Sequence, residues 1–165
     1  MAGPNHIMEK FNHLDETGRA VMVDISEKKS TIRFASARSL VTFPQLIVDQ
    51  LKADGMQTHK GSVLQIAIIA GIMAAKKTGE LIPLCHPIGL ENCDIKIHFN
   101  EHNELEIYCT ASVNAKTGVE IEAMMGASIA ALTVYDMCKS MSHDIIIKEI
   151  MLLQKTGGKN DFKRS

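Results

Sequence analysis

Two runs of strict alternation constrain this chain more than anything else in it. Cys93, Ile95, Ile97 and Phe99 alternate with Asp94, Lys96 and His98, and Leu105, Ile107 and Cys109 alternate with Glu106, Tyr108 and Thr110. A period of two puts apolar side chains on one face of a strand and polar ones on the other. Asn100-Glu101-His102-Asn103 between the runs is a polar turn. The pair reads as an antiparallel hairpin with one buried and one wet face, so helices must cover one side of a sheet.

The helices are legible on either side of the hairpin. Pro44 suits the first turn of a helix running to about Ala53, and Gly55 suits its end. Gly61 to Thr78 is apolar on nearly every side, which predicts a helix buried on most faces, with Lys76 and Lys77 in its last turn and Gly79 closing it. Val119 to Met141 is helical again, and Gly126, Ala127, Ser128, Ala130 and Ala131 give it a small-residue surface that another backbone can approach closely. Further strands are expected at Val21 to Ile25, at Thr31 to Phe43 and at Ile145 to Leu153, the last apolar enough to lie centrally. Pro83 and Pro87 bracket Leu84-Cys85-His86, which excludes an ordinary helix or central strand there. Lys155-Thr156-Gly157-Gly158-Lys159 reads as a flexible cationic tail. The order strand, helix, helix, strand, strand, helix, strand is the split β-α-β plan: an α+β, ferredoxin-like antiparallel sheet packed against helices, with one additional helix. Residues 1–20 read as a flexible N-terminal arm, 1–7 having the look of an expression remnant, and 21–165 as a single catalytic domain.

Composition narrows the chemistry. A chain of 165 residues can bury a core without a disulfide or metal staple. Its formal net charge of −1 argues against nucleic acid, which demands a basic excess. Four scattered cysteines with no C-x-x-C pair, no signal-like apolar start and a longest apolar run, near Val63 to Ala75, too short to span a bilayer predict a cytoplasmic protein without a membrane partner. Dinucleotide and phosphate-loop glycine motifs, iron–sulfur cysteine clusters and zincin helices are absent. An enzyme so equipped works by acid–base and electrostatic means.

Asp136 and Lys139 share a helix face. A solvated ion pair is the ordinary reading of such spacing, but Tyr135, Met137 and Cys138 around it predict a partly buried carboxylate beside an ammonium, each shifting the other's pKa. Glu120 and Glu122 open the same helix, where carboxylates complement the dipole, though they point in different directions and only one need serve it. His86 stands in the double-proline loop; a structural histidine is the commoner case, and joining it to Cys85 and Cys93 matches no zinc spacing, so no metal site is expected. Arg33, Lys60, Lys116, Lys139, Lys155 and Lys159 lie near element ends or glycine turns, where a phosphate can be reached. The residues alone point to a pocket for an anionic small molecule with acid–base groups.

Taken together, Leu81-Ile82-Pro83-Leu84-Cys85-His86-Pro87, Lys116-Thr117-Gly118-Val119-Glu120-Ile121-Glu122-Ala123, Leu132-Thr133-Val134-Tyr135-Asp136-Met137-Cys138-Lys139 and Lys155-Thr156-Gly157-Gly158-Lys159 resemble the cyclic pyranopterin monophosphate synthases, the molybdenum cofactor biosynthesis protein C family. Met22-Val23-Asp24-Ile25, Thr31-Ile32-Arg33, His59-Lys60-Gly61 and Ala70 to Lys76 fit as well, so the resemblance runs in order from about residue 12 to the C-terminus. It implies conversion of the cyclic dihydro-GTP intermediate, (8S)-3′,8-cyclo-7,8-dihydroguanosine 5′-triphosphate, to cyclic pyranopterin monophosphate and diphosphate. It also implies a homohexamer, a trimer of dimers, with sites at a dimer interface, and no required cofactor; whether Mg2+ accompanies the triphosphate is left open. Carried over by motif, Asp136 is the central acid–base residue and Lys139 its partner. Leu84, Cys85 and His86 line the purine-derived ring, Ile121 and Glu122 contact substrate with Glu120 supporting, and Lys60, Arg33 and Lys155 hold the triphosphate. Ile68, Ser62 and Asn160-Asp161 depart from the usual pattern, in places that bear on packing and the tail. A non-enzymatic nucleotide-sensing module is the rival class; an RNA-binding sheet fails for want of exposed aromatics and positive charge.

Overall fold

The computed structural model describes residues 17–164. Its long strands are β1 (Thr31–Thr42), β4 (Asn92–Phe99), β5 (Leu105–Ala115) and β6 (Ile146–Thr156), with two-residue strands β2 (Gln57–Thr58), β3 (Gly61–Ser62) and β7 (Phe162–Lys163). The helices are α1 (Gln45–Ala53), α2 (Val63–Lys76), the single turn α3 (Thr78–Leu81) and α4 (Glu120–Cys138). The expected hairpin is β4–β5, paired in register from Asn92↔Ser112 to Phe99↔Leu105. The main sheet runs β4-β5-β1-β6-β7, antiparallel throughout. Its four long strands have the order of the split β-α-β plan, so the α+β ferredoxin-like expectation holds.

One face of the sheet carries the core. Ala35, Ala37, Ser39 and Val41 of β1 and Leu105, Ile107, Cys109, Ala111 and Val113 of β5 are buried there. Small residues let α4 lie close, and the Ser39 hydroxyl donates to the Ala127 carbonyl across the contact at 2.9 Å. α2 and α4 meet at Gly71 and Gly126. A Cβ on Gly71 would lie 2.7 Å from the Gly126 carbonyl oxygen, and one on Gly126 would collide with the Cys109 sulfur. The opposite face is polar: Arg38 pairs with Glu106 at 3.3 Å and also with Glu149, and the Tyr108 hydroxyl donates to Glu106 at 2.8 Å. α4 is long and apolar enough to cross a bilayer by composition, but half of that stretch is buried against this sheet, the signature of a core helix.

Several expectations need correction. Val21 to Ile25 forms no strand. α2 stops at Lys76 because the Thr78 hydroxyl reaches back to the Ala75 carbonyl at 3.0 Å, and Gly79 falls inside α3, pressed against Pro87. Among the described residues α2 is not buried on most faces: Ile69 and Met73 are 57% and 52% exposed, because only one side of it meets α4 and β4. β6 is not central among the described residues, having only the two-residue β7 beyond it, and Ile146 is left exposed. The cationic tail is strand as far as Thr156 and then a turn into β7. The expected arm at 1–20 and the remnant at 1–7 fall almost wholly outside the described residues.

Candidate active site

Two depressions adjoin at the N-terminal end of α4. The larger, about 780 Å³, is ringed by Lys28, Lys29, Arg33, Lys116, Lys155 and Lys159. The smaller, about 340 Å³, is lined by Leu84, Cys85, His86, Ile88, Ile121 and Glu122, with Val23 and Ile25. Lys28, Thr117, Gly118 and Glu120 border both. One opening therefore offers cations at one side and a half-apolar slot at the other.

Local sequence explains each wall. The prolines hold Leu84-Cys85-His86 out of helix and strand, in a turn closed by Cys85 N–H donating to the Ile82 carbonyl at 3.0 Å. A His86 ring nitrogen meets the Val23 carbonyl at 2.8 Å, and Lys116 donates to the Ser26 carbonyl at 2.6 Å, so the irregular stretch around residues 23–28 becomes a wall of both depressions. Arg33, near the start of β1, donates to the carbonyls of Ala115 and Lys116 at 3.2 and 3.4 Å. Glu120 folds back over Gly118, where a Cβ would obstruct it, and pairs with Lys155 at 3.0 Å.

Glu122 is 3% exposed, and burial, helped by the charge of Glu120, pushes its carboxyl above the ordinary range. Burial also raises the Cys85 thiol, with Glu122 adding to it. Asp24 is held low, chiefly by the Ser26 backbone N–H it accepts from.

The expected acid–base pair lies elsewhere. Asp136 pairs with Lys139 at 2.8 Å and with Lys60 at 3.1 Å, at the C-terminal end of α4. Both hydrogen-bonded ammoniums, Lys139 first, hold the Asp136 carboxyl below its usual value, and Asp136 in turn raises Lys139. The expected partial burial is wrong: Asp136 and Lys139 are each 54% exposed. Val134, Met137 and Cys138 take the inward positions, and a helical turn of about 100° per residue leaves 136 and 139 facing out. At a rise of ~1.5 Å per residue, Glu122 and Asp136 are roughly 21 Å apart along the helix.

So the structure brings together Arg33, Leu84, Cys85, His86, Glu120, Ile121, Glu122 and Lys155 at one end of α4, and Lys60, Asp136 and Lys139 at the other. Within one chain it does not unite the two groups, and Lys60 sits with Asp136 rather than with the other expected triphosphate cations. Sequence reasoning missed Lys28 and Lys29, whose signal was a cation pair just before β1 in a stretch with no periodicity.

A family model for the MoaC family matches residues 22–158. The chain belongs to the MoaC family. Among its relatives, the cyclic pyranopterin monophosphate synthase of Xanthomonas campestris pv. campestris (strain B100) is 48% identical over 152 residues, 92% of each chain. The enzyme of the same name from Clostridium acetobutylicum is 45% identical, over 94% of this chain and 97% of the relative. A molybdenum cofactor biosynthesis bifunctional protein of Synechocystis is 49% identical over 94% of this chain but only 46% of its own length. The matched MoaC region contains every expected site residue, both ends of α4 included.

Proposed function

We propose that this chain is a cyclic pyranopterin monophosphate synthase, converting (8S)-3′,8-cyclo-7,8-dihydroguanosine 5′-triphosphate to cyclic pyranopterin monophosphate and diphosphate. One observation carries the reading beyond family membership: the cation-ringed depression opens into the slot of Leu84, His86, Ile121 and Glu122. A polyanion joined to a heterocycle needs that succession of surroundings. Arg33, Lys155 and their neighbours would hold the triphosphate and stabilise charge developing as diphosphate leaves. Asp136, kept ionised by two ammoniums, would accept and return protons, with Lys139 as the proton-bearing partner.

The 21 Å gap supports a site shared between copies, with the Asp136 end of one protomer closing the pocket of another. Exposed Ile66, Ile69 and Met73 on α2 and Ile146 and Ile150 on β6 supply apolar area for assembly, as a trimer of dimers would require. The cysteines Cys85, Cys93, Cys109 and Cys138 are free thiols, which favours the reducing cytoplasm. The reaction as read needs no resident cofactor, and any Mg2+ would enter with the triphosphate.

The test is incubation of purified protein, with and without chelator, with the cyclic dihydro-GTP intermediate, measuring diphosphate and the oxidised pterin product. Both should appear, and Asp136→Asn should abolish turnover while leaving substrate binding largely intact. Tight binding with no diphosphate from the native chain would favour a sensor instead; full turnover by Asp136→Asn would remove that residue from the chemistry.

A further inference from the structure

β6 and the turn after it carry two of the pocket cations, Lys155 at the strand end and Lys159 beyond the glycines. The turn's central residue, Gly157, is held through both of its backbone polar groups. The Gly157 N–H donates to the Asp161 carboxylate at 3.1 Å, and the Gly157 carbonyl accepts from the Thr31 hydroxyl at 2.7 Å. Gly157 has φ of +83°, and a Cβ there would run into the Ile32 carbonyl, so the turn is seated directly on the first residues of β1. Gly158 lies against Arg33, to whose guanidinium a Cβ would come within 2.9 Å. Asp161 and Thr31 thus fix the spacing between the turn that bears Lys159 and the strand that bears Arg33.

We infer that Asp161, with Thr31, is a positioning residue for the anion pocket: its carboxylate sets the glycine turn so that cations from β1 and β6 converge on one phosphate chain. The inference rests on the reading of that pocket as the phosphate site. A carboxylate beside a cation cluster should repel an anion, so simple electrostatics says that removing Asp161 tightens anion binding. Positioning says that removing it loosens binding, because the turn loses the acceptor that holds Gly157.

Two variants separate these effects. Asp161→Asn discards the charge and keeps an oxygen acceptor for the Gly157 N–H, whereas Asp161→Ala discards both. With inorganic pyrophosphate as the probe in calorimetric titration of the full chain, Asp161→Ala should weaken binding about fivefold, the scale of one lost backbone hydrogen bond. Asp161→Asn should bind at least as tightly as the native protein. Thr31→Val should weaken binding by a similar factor, with Thr31→Ser restoring it. In turnover the Ala and Val variants should raise KM and leave kcat unchanged. Equal or tighter pyrophosphate binding by both Asp161→Ala and Thr31→Val, with native thermal transitions, overturns the inference and leaves the phosphate site standing. Failure of the native chain to bind pyrophosphate at all overturns the phosphate reading, and this inference with it.

Discussion

If the two ends of α4 belong to different active sites, two dead variants must repair each other. Take Asp136→Asn, which disables the outward end, and Lys155→Ala, which disables the pocket end, some 20 Å away by helix rise. In a homodimer of either variant every site has one defective half. In a mixed dimer one site inherits both defects and the other inherits neither. Random reassortment of equal amounts makes half the dimers mixed, so activity should climb to about a quarter of the native value per subunit. At other ratios it should follow the product of the two fractions, peaking at equality. The assay is diphosphate release after co-expression with two tags, or after mild dissociation and remixing, against each variant alone. A mixture that stays at the average of its parents at every ratio would show that each site is built within one chain, and the shared-site reasoning would fall.

Two stability measurements probe the frame of the site. Gly126→Ala drives a Cβ into Cys109; overpacking of ~1–3 kcal/mol less ~1 kcal/mol of helix propensity leaves a net loss of about 0–2 kcal/mol, a fall of up to roughly 8 °C in Tm by calorimetry. Cys109→Ala should recover part of it, and a rise in Tm would mean that the helix contact is looser than described. Burial raises the Glu122 pKa on folding, so the wild type has its full share of stability from this group below the unfolded value near 4.5 and loses it as pH climbs through the folded value. Glu122→Gln should therefore match the wild type at low pH and become relatively more stable toward neutrality; an advantage that is constant with pH would contradict the shifted carboxyl.

Much of this was legible in the chain because it was local. The β4–β5 alternation, the proline-bracketed loop at Leu84-Cys85-His86 and the small residues of α4 each act through neighbours in sequence. What failed depended on partners. Val21 to Ile25 alternates like a strand, yet no strand edge among the described residues receives it; His86 meets its Val23 carbonyl, and Lys116 holds the Ser26 carbonyl just beyond it. α2 is apolar all round, yet only the side bearing Val63, Ala67, Gly71 and Ala74 finds cover among the described residues. The burial of Asp136 was misjudged from its sequence neighbours, although a helix sends adjacent residues in different directions. The separation of Lys60 from Arg33 and Lys155 could not be read at all, since it depends on which end of α4 each loop meets.

The length of α4 acts as a gauge bar. In the shared-site arrangement proposed above its two ends would serve different catalytic centres, so the helix would set the distance between neighbouring centres and also their relative orientation. Adding or deleting one residue in its middle would shift one end by ~1.5 Å, a tolerable error, but would turn it by about 100° relative to the other, which is not. Gly71 against Gly126 locks the bar, about a third of the way along it, against slippage. Insertions in this lineage should therefore collect in the loops, and α4 should keep its residue count while its composition drifts.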